Sequence, residues 1–196
     1  LIEKEIVPLF YDRGPDNLPR GWIYRMKAAM KKLAPVYNTN RMVREYIETL
    51  YMPAAAHYTL LREGEMSRAR ELTDWKRRVR EQFPQVRIES VSDDMDQRGG
   101  PKIGREIRVQ AEVNLGGLDV SDVRVELYHG ELDEDGQLNE GKATVMEQSG
   151  EVPDGRAVYA GAMPCDRTGM AGYTVRVLPS SGLLSDPMDM SLIRWA

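Results

Sequence analysis

Two histidines, one cysteine, three tryptophans and two short polar loops are the residues of this 196-residue chain that could do chemistry. His57 and His129 each lack a second His or Cys at ligand spacing, so no zinc site follows. Cys165 has no histidine near it in sequence to activate it, and it reads as an inert, partly buried thiol. RGGPKIG (98–104) is glycine-rich and basic. A phosphate cradle needs a strand before it and a helix after it, and here a strand follows. In ELDEDGQLNE (131–140), Asp133, Asp135 and Gly136 echo the opening of a calcium loop. Position 137 is glutamine and the flanking elements are strands, so the segment reads as a hairpin turn with Asp135-Gly136 as its turn pair. Trp22, Trp75 and Trp195 could stack on sugar rings, but each sits in an apolar pattern that fits core packing. Tyr128, Tyr159 and Tyr173 lie on strands and could form an exposed platform. RRVR (77–80) and Lys31-Lys32 read as solvated helix faces. There is no GxGxxG, no Walker A and no GxSxG. No catalytic, cofactor-binding or metal-ligating residue is assigned, because no matched acid and base, activated nucleophile or cofactor cradle is present.

The elements that would hold these residues fall into two kinds. Residues 1–85 carry a helical period. Ile2, Ile6, Leu9 and Phe10 begin it, with Pro8 expected to kink the helix. Gly14, Pro15, Asn17 and Pro19 mark a loop. Trp22, Ile23, Met26, Met30 and Leu33 share one face of a second helix, ended by Pro35. Asn38 to Asn40 offer N-cap side chains to a third helix carrying Met42, Val43, Tyr46, Ile47 and Leu50. Pro53 is expected to interrupt it. A fourth helix runs to about Phe83, with Leu72, Trp75, Val79 and Phe83 inward. From residue 86 the period becomes two. Strands are expected at 87–91, 107–115, 123–127, 143–148, 156–163, 172–178 and 190–195, separated by turn clusters. The fold class expected is therefore α+β. A helical segment (1–85) precedes an antiparallel immunoglobulin-like β-sandwich (86–196), with 92–104 as a long strand connection.

Composition is that of a soluble globular protein, 41% hydrophobic and 30% charged. No apolar run approaches the roughly 20 residues of a membrane helix. Residues 1–85 carry a net charge of +5 and residues 86–196 a net charge of −9. The acidic half argues against nucleic acid as a partner. The single cysteine excludes an intrachain disulfide and favours a reducing compartment, hence a cytoplasmic setting. The chain opens at Leu1 inside an amphipathic pattern and reads as a fragment.

Several strings resemble a known family. IVPLFYDR (6–13), LPRGWIYRMKAAM (18–30) and YNTNRMVREYIETLY (37–51) look like the end of the catalytic region of bacterial and archaeal α-glucan phosphorylases. PCDRTGMAGYTVRVLP (164–179) and SLIRWA (191–196) resemble the ends of the longer forms. The resemblance implies a glycosyltransferase parent of the GT-B type, with two Rossmann-like domains facing a cleft. It implies phosphorolysis of α-1,4-glucan to glucose 1-phosphate with pyridoxal phosphate as cofactor. In the family the cofactor and substrate residues precede this stretch, so none carries over to a position here. The resemblance further implies that helices 1–53 brace the catalytic domains upstream in the same chain. The sandwich would be an accessory tail, with α-glucan and a second copy of the chain as candidate partners. Two alternatives remain beside it: the tail of a glycogen-synthase-like glucosyltransferase, and a glucan-binding or oligomerisation module.

Overall fold

A computed structural model describes residues 1–95, 103–150, 154–166 and 169–196. Most of RGGPKIG (98–104), and parts of the expected 92–104 connection and of the 164–179 string, lie outside the described residues. The α+β expectation is met: helices come first, then two four-stranded antiparallel sheets. No helix among the described residues is long and apolar enough to cross a membrane.

The chain divides into two compact units, Leu1–Tyr58 and Thr59–Ala196. The first unit is helical. A wide π-type turn (Ile2–Ile6) leads without a break into α1 (Val7–Tyr11), and Pro8 follows that widened turn. Gly21 in α2 (Arg20–Leu33) lets Leu9 pack closely, since a Cβ there would lie 2.7 Å from Leu9 Cδ1. Phe10 meets Trp22 edge-on at 5.4 Å. Asn38 caps α3 (Thr39–Tyr46): its Oδ1 accepts from the Arg41 N–H at 2.9 Å, and its Nδ2 donates to the Ala34 and Pro35 carbonyls. No residue of this unit is buried.

The expected stop at Pro53 does not occur. A wide turn at Ile47–Tyr51 absorbs the ring and the lost donor, and helical structure continues into α4 (Met52–Gln82). The break comes later, where the sequence has no proline. Glu63 is extended, and Gly64, Glu65 and Met66 take φ of +57, +54 and +67°. Gly64 adopts that conformation freely, whereas Glu65 and Met66 cost about 1–2 kcal/mol each. Ser67 Oγ donates to the Glu63 carbonyl at 3.3 Å and Arg68 pairs with Glu63 at 2.9 Å, tying the break together.

In the second unit the strands are β1 (Arg87–Asp93), β2 (Arg105–Asn114), β3 (Val123–Leu132), β4 (Leu138–Val145), β5 (Glu147–Gln148), β6 (Arg156–Cys165), β7 (Ala171–Pro179) and β8 (Arg194–Trp195). The first sheet has the order β1-β2-β6-β5 and the second β4-β3-β7-β8. Alternation sends Ile107, Val109, Ala111 and Val113 of β2 inward, against Val125, Leu127, Val175 and Val177 of the other sheet. Each such valine, leucine or isoleucine contributes about 1.5–3 kcal/mol by leaving water. The expected strand 143–148 is two strands. At Met146, which is buried, the chain leaves the second sheet and joins the first. The expected strand at 190–195 is shorter, because a 3-10 turn occupies Pro187–Met190.

Helix and sandwich share a core. Val79 and Phe83 are buried among the strand residues, with Trp75 packed against them. Secondary structure changes type near residue 86, as the period predicts, but the compact units divide at Tyr58/Thr59 because the last turns of α4 are sandwich core.

Two consequences follow for stability. Gly116 has φ +61°, and a Cβ there would lie 2.8 Å from the Gln85 carbonyl carbon and 3.0 Å from the Val86 nitrogen. Backbone cannot move aside cheaply, so Gly116→Ala is expected to cost about 2–4 kcal/mol, read as a fall in urea midpoint at constant m-value. Tyr159 is buried between the sheets, and its hydroxyl has no hydrogen-bond partner among the described residues. Burial also holds its pKa above the usual range. Tyr159→Phe removes an orphaned polar group and is expected to raise stability by about 1 kcal/mol in the same titration.

Candidate functional site

The strongest polar constellation in the second unit surrounds Asp122. Its residue is 4% exposed and sits in a 3-10 turn (Val120–Asp122) between β2 and β3. Trp75 Nε1 donates to Oδ1 at 2.7 Å. Arg78 donates twice, Nη1 to Oδ2 at 2.7 Å and Nη2 to Oδ1 at 2.9 Å. The Asp119 N–H donates to Oδ2 at 3.0 Å, closing a capping box. Burial by itself pushes the Asp122 carboxyl up. The bonds from Arg78, the Asp119 backbone and Trp75 outweigh it and hold the pKa below the usual carboxylate range. Arg78 is raised in return, chiefly by its bond to Asp122. Every acceptor position of this carboxylate is engaged by the protein. The constellation fastens α4 to the sandwich, and it has neither the open position nor the paired base that catalysis needs.

Other candidates resolve into structure. RRVR (77–80) is not one solvated face: Arg77 pairs with Asp74, Arg78 anchors on Asp122, Val79 is core and Arg80 is exposed. The 131–140 segment is a β3–β4 hairpin. Asp133 Oδ1 accepts from the N–H groups of Asp135 (3.0 Å) and Gln137 (2.8 Å), so its carboxylate closes the turn. No cluster of three potential metal ligands occurs among the described residues. His129 Nε2 lies 3.3 Å from Thr144 Oγ1, and its pKa is lowered by burial and then by Lys142. Cys165 is half-buried at the end of β6.

The tyrosine platform does not form. Tyr159 points into the core, and Tyr173 spans the two sheets, its hydroxyl donating to Asp93 Oδ2 at 2.5 Å. Burial and that carboxylate push the Tyr173 pKa far above the usual range. Only Tyr128 reaches the outer face of the second sheet. There it meets Trp195, which is 42% exposed and not the core residue its pattern suggests. Trp75 does pack on the core.

The family model for the glycogen phosphorylase C-terminal domain matches residues 83–196, the whole sandwich. The chain belongs to the glycogen phosphorylase C-terminal domain family. Glycogen phosphorylase of Mycobacterium bovis is 31% identical over all 196 residues, which cover 100% of this chain and 23% of that protein. Maltodextrin phosphorylase of Thermococcus litoralis is 30% identical over 203 aligned residues, covering 100% of this chain and 22% of that protein. Glycogen phosphorylase of Aquifex aeolicus is 37% identical over 51 residues, 26% of this chain. The chain thus spans under a quarter of the first two relatives' length. No solved structure matches. The first two likenesses run along the whole of this chain, through the helical unit and the sandwich alike.

Proposed function

We propose that this chain is the non-catalytic end of an α-glucan phosphorylase, whose whole form cleaves α-1,4-glucan with phosphate and releases glucose 1-phosphate. The supporting observation is the likeness to phosphorylases across the entire chain, helices and sandwich together. In this reading the domains upstream carry pyridoxal phosphate and the substrate residues, and the protein works in the cytoplasm. The helical unit fits the role of a brace. It exposes Met26, Met30 and Leu33 on α2, and Val43 and Ile47 from α3 onward. Fifty-eight residues without one buried side chain do not make a self-sufficient core, so these faces suit a cover supplied by the catalytic domains. Helices seated there bias cleft closure, which aligns reactants and excludes water.

The test uses the full-length gene product with maltodextrin and glucose 1-phosphate, following phosphate release. Release is expected, and deletion of residues 1–58 from otherwise folded enzyme is expected to lower turnover. Unchanged turnover and substrate affinity after deletion would sink the bracing role. Transfer from a nucleotide-sugar donor, with no phosphate released from glucose 1-phosphate, would move the parent to the synthase class.

A further inference from the structure

The break inside α4 is a strained stretch of backbone that neither the shared core nor the Asp122 anchor requires. Between Pro53 and Pro84 the chain has no proline, and Gly64 is the one residue there that strongly resists helix. Yet Glu63 is extended, and Gly64, Glu65 and Met66 together form a left-handed turn. Glycine adopts that conformation freely, but side-chain-bearing residues visit it singly and at a cost, not in runs. All four residues are exposed, so no packing imposes the turn. The buried residues of α4, Leu72 and Val79, lie beyond it. Only local contacts hold it: Ser67 Oγ on the Glu63 carbonyl, and Arg68 on the Glu63 carboxylate at 2.9 Å.

The spacing of that ion pair is informative. Residues five apart on a continuous helix point about 140° away from one another. Glu63 and Arg68 therefore meet because the chain turns between them. On a continuous helix Arg68 would sit beside Glu65 instead, at the i, i+3 spacing that favours opposite charges. In the broken form Glu65 is exposed and has no partner among the described residues. One cation thus has two carboxylates, one for each shape of the helix. Gly64 suits both shapes, being at ease left-handed and carrying only its ordinary penalty in a helix. We propose that residues 63–66 are a two-state hinge. α4 passes between the broken form and a continuous helix as Arg68 moves from Glu63 to Glu65. Two discrete settings, each with its own ion pair, distinguish this from a floppy link. The hinge lies just past the Tyr58/Thr59 division and ahead of Leu72, so it can change shape without disturbing the sandwich core.

The experiment is hydrogen exchange by mass spectrometry on the full-length gene product, reading peptides across residues 60–70 with sandwich peptides as internal control. A continuous helix protects amides that an exposed turn leaves open. Gly64→Ala is expected to slow exchange across 60–70 about tenfold, because alanine resists the left-handed form and favours helix. Its Cβ would also press on Ser67 Oγ, at 2.6 Å in the broken form. A fixed break has the opposite sign: alanine strains it, and exchange there quickens or stays as in wild type, which overturns the hinge. Glu63→Gln is expected to slow exchange about twofold and Glu65→Gln to quicken it about twofold, each removing one of the partners of Arg68. These two variants decide the matter if Gly64→Ala does not fold. Responses of the same sign, or none, refute the exchange of partners and with it the hinge. No readout depends on the reaction of the parent, so failure here leaves the phosphorylase reading untouched.

Discussion

A polypeptide beginning at Phe83, where the family match begins, is expected to lack a stable fold, whereas one beginning at Thr59 unfolds cooperatively. The shorter chain loses Val79, which is fully buried, and Trp75, which packs on the same core. It also loses Arg78, leaving Asp122 with a buried carboxylate and no cation. Val79 alone accounts for about 2 kcal/mol of burial. The stranded carboxylate adds about 3 kcal/mol. Together these approach the 5–15 kcal/mol that stabilises a typical domain. Thermal melts followed by circular dichroism check this. Equal cooperative transitions for the two polypeptides would show that α4 is dispensable to the sandwich.

Asp122→Ala is expected to destabilise the second unit by about 3 kcal/mol at neutral pH. Loss of one partner from a buried pair costs more than this when both charges are buried. Arg78, however, keeps 41% of its side chain in water, and solvent screens its share. Most of the cost comes from Trp75 Nε1 and the Asp119 N–H, which lose their acceptor. The pH dependence has a definite sign. The folded pKa of Asp122 is depressed, so its contribution is complete above the unfolded value near ~3.9. It is lost as pH falls through the folded value. The difference between wild type and Asp122→Ala should therefore shrink below about pH 4. Urea titrations at pH 7 and pH 3 measure it, and a difference independent of pH would contradict the role given to this carboxylate. Asp189 also has a depressed pKa, through its bond from Ser185 Oγ, and is present in both proteins, so it cancels in the comparison.

Much of this architecture is legible in local pattern. Ile107 to Leu115 alternate, and the strand is there. Asn38 precedes an apolar helical period, and it caps a helix. What escaped the pattern is of three kinds. Arg78 and Asp122 are 44 residues apart, and nothing local distinguishes an anchoring arginine from its solvated neighbours in RRVR. The exchange of sheets at Met146 happens within one apparently continuous strand, because alternation does not record which sheet a strand joins. Pro53 and Gly64 misled in opposite senses. A widened turn accommodates the proline, while the glycine admits a left-handed stretch that two non-glycine residues then follow. The family strings were legible from residue order, and the calcium-loop echo at 131–140 resolves into a turn closed by Asp133, whereas most of RGGPKIG lies outside the described residues. Trp195 is the exception in the other direction: a pattern that fits a core residue places a ring at the surface.

At high concentration, the edges of the two sheets decide whether copies of the sandwich join. Each open sheet has two rims where unpaired amides could recruit another molecule. Here the rims are β1 and β5 in one sheet, β4 and β8 in the other. β5 and β8 are two residues long, too short to template a growing ribbon. β1 and β4 are longer, and the register against each neighbour slips by one residue, between Ile88 and Ser90 in the first and opposite His129–Glu131 in the second. In both cases the surplus residue is on the rim strand, where a bulge twists the backbone out of line. All four rims are thus poor seeds for fibril growth, and copies of the sandwich can crowd together without being stitched edge to edge.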